Sequence, residues 1–233
     1  MMTNVADRAP LIKALGIDLP DEILTIALTH RSYSFENGGL PTNERLEFLG
    51  DAVLGLVITA EIVAAYEDWS EGELAKLKSA VVNTQALAQI ARGLTDDGLG
   101  SYFLLGKGEM TSGGAHKANL LADGLEALLG AVYVVHGFET ARGVIMHLFG
   151  PALDRAAQLG AGLDWKTSLQ ELCANRQLGA PRYVITSTGP PHDMHFTARA
   201  VVDGEEYGEG AGRTKKEAEQ HAAAAAWKVL DGA

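Results

Sequence analysis

Residues 43–54, Asn-Glu-Arg-Leu-Glu-Phe-Leu-Gly-Asp-Ala-Val-Leu, set three carboxylates into a largely apolar run. Glu44, Glu47 and Asp51 stand at relative positions 0, 3 and 7, which at 100° per residue is one face of a helix. Stacked like charges repel, so a helix built only for packing avoids this pattern. A divalent cation turns the same cluster into a favourable site. The run therefore needs a core to bury its apolar face, and its acidic face suits a cation.

A second acidic pair, Asp123 and Glu126, is spaced i,i+3 among Leu120, Leu121, Leu125, Ala127, Leu128 and Leu129. If the two helices pack together, Glu47, Asp51, Asp123 and Glu126 can converge on one point. Carboxylates from two antiparallel helices make a hard, oxygen-rich pocket suited to Mg²⁺ or Mn²⁺. One such pair alone would read as surface salt bridging; two in apolar helices favour a metal site. The chemistry such a pocket supports is phosphodiester hydrolysis, which requires roughly 20 kcal/mol of barrier reduction. Metal ions lower the pKa of water and neutralise the phosphate and the leaving oxygen.

The 233 residues are 47% hydrophobic, enough for one large domain or two modest ones and against disorder. The apolar stretch 120–135 is broken by Asp123 and Glu126, so no bilayer span is expected. The first residues lack a basic start and an apolar core and read as no signal peptide. The lone Cys173 excludes an intrachain disulfide, fits a reducing compartment, and reads as a small buried hydrophobe. The net charge of −11 is uneven: residues 161–233 carry 8 Lys+Arg against 10 Asp+Glu, and residues 1–160 carry 11 against 20. Local patches govern binding, so this charge does not exclude a polyanionic partner.

Helical periodicity dominates the first 155 residues, with helices expected near 5–15, 21–29, 42–65, 71–92, 116–136 and 138–157. Ser70-Glu71-Gly72-Glu73 offers an N-cap with acids in the first turn. Gly106-Lys107-Gly108 lacks the Gly-Lys-Ser/Thr of a phosphate loop and reads as a turn. After Gly150-Pro151 and Gly160-Ala161-Gly162 the pattern changes. A helix at 167–178, strands at 182–186 and 194–202, a weaker glycine-bearing strand at 205–211 and an alanine-faced helix at 214–230 follow. That order, α-β-β-β-α, suits a small α+β domain.

The run 43–51 resembles the signature of ribonuclease III, the double-stranded-RNA endonuclease. So do Thr29-His30-Arg31-Ser32, Glu71-Gly72, and the stretch from Leu121 to Gly130. The resemblance implies a multidomain chain: an all-α endonuclease domain at 1–158, a linker at 159–163 and an α+β double-stranded-RNA-binding domain at 164–233. It implies that Glu47, Asp51, Asp123 and Glu126 bind magnesium, with Asp51 and Glu126 indispensable and Glu44 and Glu71 supporting. It also implies a cytoplasmic homodimer in which Phe48, otherwise readable as core, plugs a pocket on the partner. Products would carry 5′-phosphate and 3′-hydroxyl ends with short 3′ overhangs, cut from ribosomal RNA precursors and structured messengers. His30 and Arg31 read as capping or interface residues; His116 and Lys117 suit a phosphate contact or a solvated loop equally.

The C-terminal piece resembles a double-stranded-RNA-binding domain through Asp164 to Leu172, Gly189-Pro190-Pro191-His192 and Arg213 to Gln220. Lys215 and Lys216 open a helix, adding charge to a dipole end that favours phosphate. Thr167, Gln170 and the His192 loop can reach 2′-hydroxyls in a wide minor groove; such domains span about 16 base pairs and read A-form shape. Two rival readings remain: a non-catalytic RNA-binding protein that keeps the fold, which the complete acid set opposes, and a metal nuclease for DNA.

Overall fold

The structure is a computed structural model that describes residues 7–158, 164–190 and 193–232. Two compact units emerge, Met1–Ala157 and Gln158–Ala233. The expected linker at 159–163 lies outside the described residues.

The first unit is helical: α1 (Ala9–Leu15), α2 (Asp21–Leu28), α3 (Arg31–Glu36), α4 (Glu44–Ala65), α5 (Glu71–Val81), α6 (Thr84–Gly93), α7 (Lys107–Thr111) and α8 (Ala118–Gln158). The short α3 was not anticipated; His30 caps it, its ring accepting the Ser32 amide. The expected single helix at 71–92 is two. Asn83 leaves the helical path at φ −152° and its side chain accepts the Gln85 and Ala86 amides, starting α6 afresh. Gly106 is the N-cap of α7 where a turn was expected, and the Lys107 amide donates to the Glu36 carboxylate. A capping box between Ser70 and Glu73 opens α5. Gly137, at φ 77°, interrupts α8 where a boundary was expected.

Helices α4 and α8 carry the core through Leu54, Val57, Ile58, Ile62, Leu125, Leu128, Leu129 and Val132, all almost fully buried. Both are long and apolar enough to cross a membrane by length and composition alone. They also make a tight backbone crossing. A Cβ on Gly50 would lie 1.8 Å from the Glu126 carbonyl oxygen, and one on Gly130 would lie 2.2 Å from that of Leu46. Only glycine allows this approach.

The second unit runs α9 (Trp165–Asn175), β1 (Arg182–Thr188), β2 (His195–Val202), β3 (Glu205–Gly212) and α10 (Lys215–Asp231). The strands form an antiparallel sheet in the order β1-β2-β3. The glycines that weakened the expectation for β3 are its packing device. A Cβ on Gly208, Gly210 or Gly212 would collide with the α10 backbone at Ala226, Ala222 or Ala218. Alternate glycines thus let the strand seat against the alanine face of the helix, Ala218, Ala222, Ala223 and Ala226, which is fully buried. Cys173 is buried in this core, as expected.

Candidate functional site

The Gly50–Gly130 crossing determines what the acids can do. Glu47 and Asp51 flank Gly50 on α4, and Glu126 stands one turn before Gly130 on α8. Carboxylate oxygens of Glu47, Asp123 and Glu126 lie within 4.8 Å of one another, each residue only partly exposed. Three hard oxygen ligands from two rigid helices fit a cation of the magnesium class.

The electrostatics fit one too. Burial pushes Glu126 up to about 7, and the charges of Asp51, Asp123 and Glu47 add to the shift. Burial also raises Glu47, reinforced by Asp123, Glu44 and Asp51. Asp123 rises through burial as well, opposed by nearby His30 and a backbone hydrogen bond. Burial raises all three groups and the neighbouring acids add to the rise at Glu47 and Glu126, a cost that a divalent ion relieves.

The remaining acids stand around this trio. Asp51 is exposed and outside the 4.8 Å set, although its charge reaches both Glu126 and Glu47. Glu44 is exposed, 3.8 Å from Arg31, and accepts the Thr42 hydroxyl. Glu71 is exposed in the first turn of α5. Phe48 is 81% exposed and borders a cavity of about 450 Å³ lined also by His30, Asn43, Glu47, Phe103 and Asp123. Along α4 the exposed residues Phe48, Ala52, Leu56 and Val63 form one apolar stripe. Lys117 is held by Glu109 at 2.7 Å and Ser112 at 3.0 Å, and the His116 carbonyl accepts from Arg92.

In the second unit Thr167 and Gln170 are exposed on α9, and Lys215 and Lys216 are exposed in the first turn of α10. The Thr214 side chain caps α10 by accepting the Glu217 amide at 3.1 Å. His192 lies outside the described residues. The role of Gly50 and Gly130 is not legible in the acid spacing; its signal is a glycine inside an acid-bearing apolar helix.

An all-helical unit with a carboxylate cluster, joined to an α-β-β-β-α unit with an exposed lysine pair, defines a metal-dependent nuclease that carries its own double-stranded-RNA reader. The ribonuclease-III-like family model matches residues 20–153, and the double-stranded RNA binding motif matches residues 165–230. The chain belongs to the ribonuclease III family and is an endoribonuclease acting on double-stranded RNA. It is 66% identical to Ribonuclease 3 of Mycobacterium tuberculosis (strain ATCC 25618 / H37Rv) over 227 residues, 97% of this chain and 95% of that relative. It is also 66% identical to Ribonuclease 3 of Mycolicibacterium smegmatis over 224 residues, 96% of this chain and 97% of that relative. A crystal structure of the nuclease domain of ribonuclease III from Campylobacter jejuni superposes with a TM-score of 0.57 at 37% identity, covering 65% of this chain and 97% of that one. A second structure of that domain, with the same TM-score and identity, is described as showing flexibility in a region involved in dimer formation.

Proposed function

We propose that this chain is a magnesium-dependent enzyme of the cytoplasm, with manganese able to substitute. It would cut structured precursors of ribosomal RNA and messenger hairpins, leaving 5′-phosphate and 3′-hydroxyl ends with short 3′ overhangs. The observation that carries the reading is the trio Glu47, Asp123 and Glu126, drawn within 4.8 Å across a glycine crossing. Bound there, magnesium ions supply charge neutralisation at the phosphate and a lowered pKa for water. Glu47, Asp51, Asp123 and Glu126 hold the ions, with Asp51 and Glu126 indispensable. Glu44 and Glu71 support from the periphery. The residues must shed a proton to do so, because Glu126 sits near 7 without a cation.

The domains run 1–158 and 164–233, with a linker at 159–163. Thr167, Gln170 and the His192 loop reach 2′-hydroxyls, while Lys215 and Lys216 take phosphates. The enzyme acts as a homodimer with one strand cut per subunit. The apolar stripe on α4 supports this, as does an exposed Phe48 beside a cavity large enough for an aromatic ring. No membrane partner is needed: a second copy would cover the stripe.

Incubating purified protein with a long RNA duplex in Mg²⁺ and in EDTA tests the reading. Short duplexes with 5′-phosphates in Mg²⁺ alone are expected. Intact RNA in both would leave a non-catalytic binder. Equal competition by a DNA duplex would point to a general nuclease.

A further inference from the structure

Two charged side chains beside the expected RNA contacts turn toward each other across the second unit. Lys166 immediately precedes Thr167 on α9, and Glu219 lies one turn beyond Lys215 and Lys216 on α10. Nζ of Lys166 meets Oε2 of Glu219 at 2.6 Å, the two side chains only 37% and 21% exposed. The same Nζ stands 4.8 Å from the centroid of the Tyr183 ring on β1. One residue further along α10, Gln220 Nε2 donates to Asp164 Oδ1 at 2.8 Å. Asp164 also accepts the Thr167 amide at 3.4 Å, so the residue that starts α9 is itself tied to α10.

Two ties thus join α9 and α10 at the ends that carry the RNA contacts, the first of them over the Tyr183 ring. A partly buried ion pair adds little net stability, since desolvation offsets most of its attraction. What it does is fix register. Glu219 also consumes the charge of Lys166, which leaves the exposed Lys215 and Lys216 as the lysines free to meet phosphate on this face.

We propose that the Lys166–Glu219 pair, seated on Tyr183 and backed by the Asp164–Gln220 bond, is a positioning device for RNA recognition. It sets the distance between Thr167 and Gln170 on α9 and Lys215 and Lys216 on α10. A ligand is then held tightly only when its minor-groove hydroxyls and its phosphates are spaced as in an A-form duplex. The proposal rests on the reading of those four residues as RNA contacts.

The test uses the full chain in EDTA, measuring affinity for an RNA duplex and a DNA duplex of the same sequence. Lys166→Met keeps the aliphatic stem over Tyr183 and removes the charge. It is expected to lose about tenfold in RNA affinity, the scale of one misplaced hydrogen-bonding contact. DNA affinity should hold, so the RNA-over-DNA ratio falls by the same factor. The salt slope should not change, and Lys166→Arg, which can rebuild the pair, should restore the ratio. Near-ultraviolet circular dichroism of the Trp165–Trp227 pair reports whether the fold survives. If Lys166→Met unfolds, Glu219→Gln must lower the ratio in its place. A salt slope lower by about one in Lys166→Met would make Lys166 a direct phosphate ligand and overturn the proposal. RNA and DNA affinities that fall together, or both hold, would reduce the pair to a packing contact. A wild type without preference for RNA would overturn the underlying reading of the four contacts.

Discussion

Gly50→Ala adds one methyl group at the crossing of α4 and α8, and the geometry sets its cost. The new Cβ would stand 1.8 Å from the Glu126 carbonyl oxygen, 2.6 Å from its carbon and 3.0 Å from the Gly130 nitrogen. All three are backbone atoms, so no rotamer change relieves the clash. Reaching even 3.0 Å from that oxygen requires the helices to part by about 1.2 Å. In an open helix the same substitution stabilises by about 1 kcal/mol. Here, overpacking costs about 1–3 kcal/mol and more if the helices resist, so the net effect is destabilising. Metal sites tolerate ligand displacements of about 0.2 Å, several times less than the parting required. Metal affinity should therefore fall roughly 10–100-fold, the scale seen when supporting shells are disturbed. Gly143→Ala is the control: it lies within α8 with open space around its Cβ and should gain stability. Thermal unfolding with and without Mg²⁺, together with cleavage rates, reads both effects. An unfolding temperature and activity equal to wild type in Gly50→Ala would refute the backbone crossing as the origin of the site.

Further outcomes follow from the same structure. Because Glu126 rests near 7 and must be ionised to bind a cation, metal affinity should rise with pH up to about 7 and level off above; calorimetric titration at several pH values that shows a flat profile would contradict this. Without metal, the folded state holds a proton that the unfolded chain has released, so stability should fall as pH rises from about 4.5 to about 7, and Mg²⁺ should abolish that fall. Glu126→Gln should abolish cleavage while leaving RNA binding nearly intact, and gel-shift and cleavage assays that show equal loss of both would refute separate roles; Lys215→Ala/Lys216→Ala should weaken binding and flatten its salt dependence by about 0.7–0.9 per lost phosphate contact, and an unchanged slope would remove those lysines from the phosphate contacts. Phe48→Ala should shift the chain toward monomer in sedimentation equilibrium, and an unchanged dimer would remove Phe48 from the interface.

The acid spacing was legible in the sequence because helical geometry projects i, i+3 and i+7 onto one face wherever the helix lies. The layout of the second unit was legible for a similar reason, since alternation and turn residues mark its strands. What joins the acids was not. A glycine inside a helix reads as a small local cost, and only the partner helix reveals that Gly50 and Gly130 make room for backbone. The break at Asn83 was hidden because apolar periodicity runs on from Leu77 and Val81 to Leu87 and Ala91. Helix α3 spans six residues, too few to show a period. The Lys166–Glu219 pair joins residues 53 apart in sequence, a distance that no local pattern reports.

Crystals soaked in Mn²⁺ and recorded at its absorption edge test the central claim most directly. Anomalous density should appear between Glu47, Asp123 and Glu126, with an oxygen from each at roughly 2.0–2.2 Å from an ion of the magnesium class. Density elsewhere, or an ion held by only one of the three, would contradict a shared metal centre built by the crossing of α4 and α8.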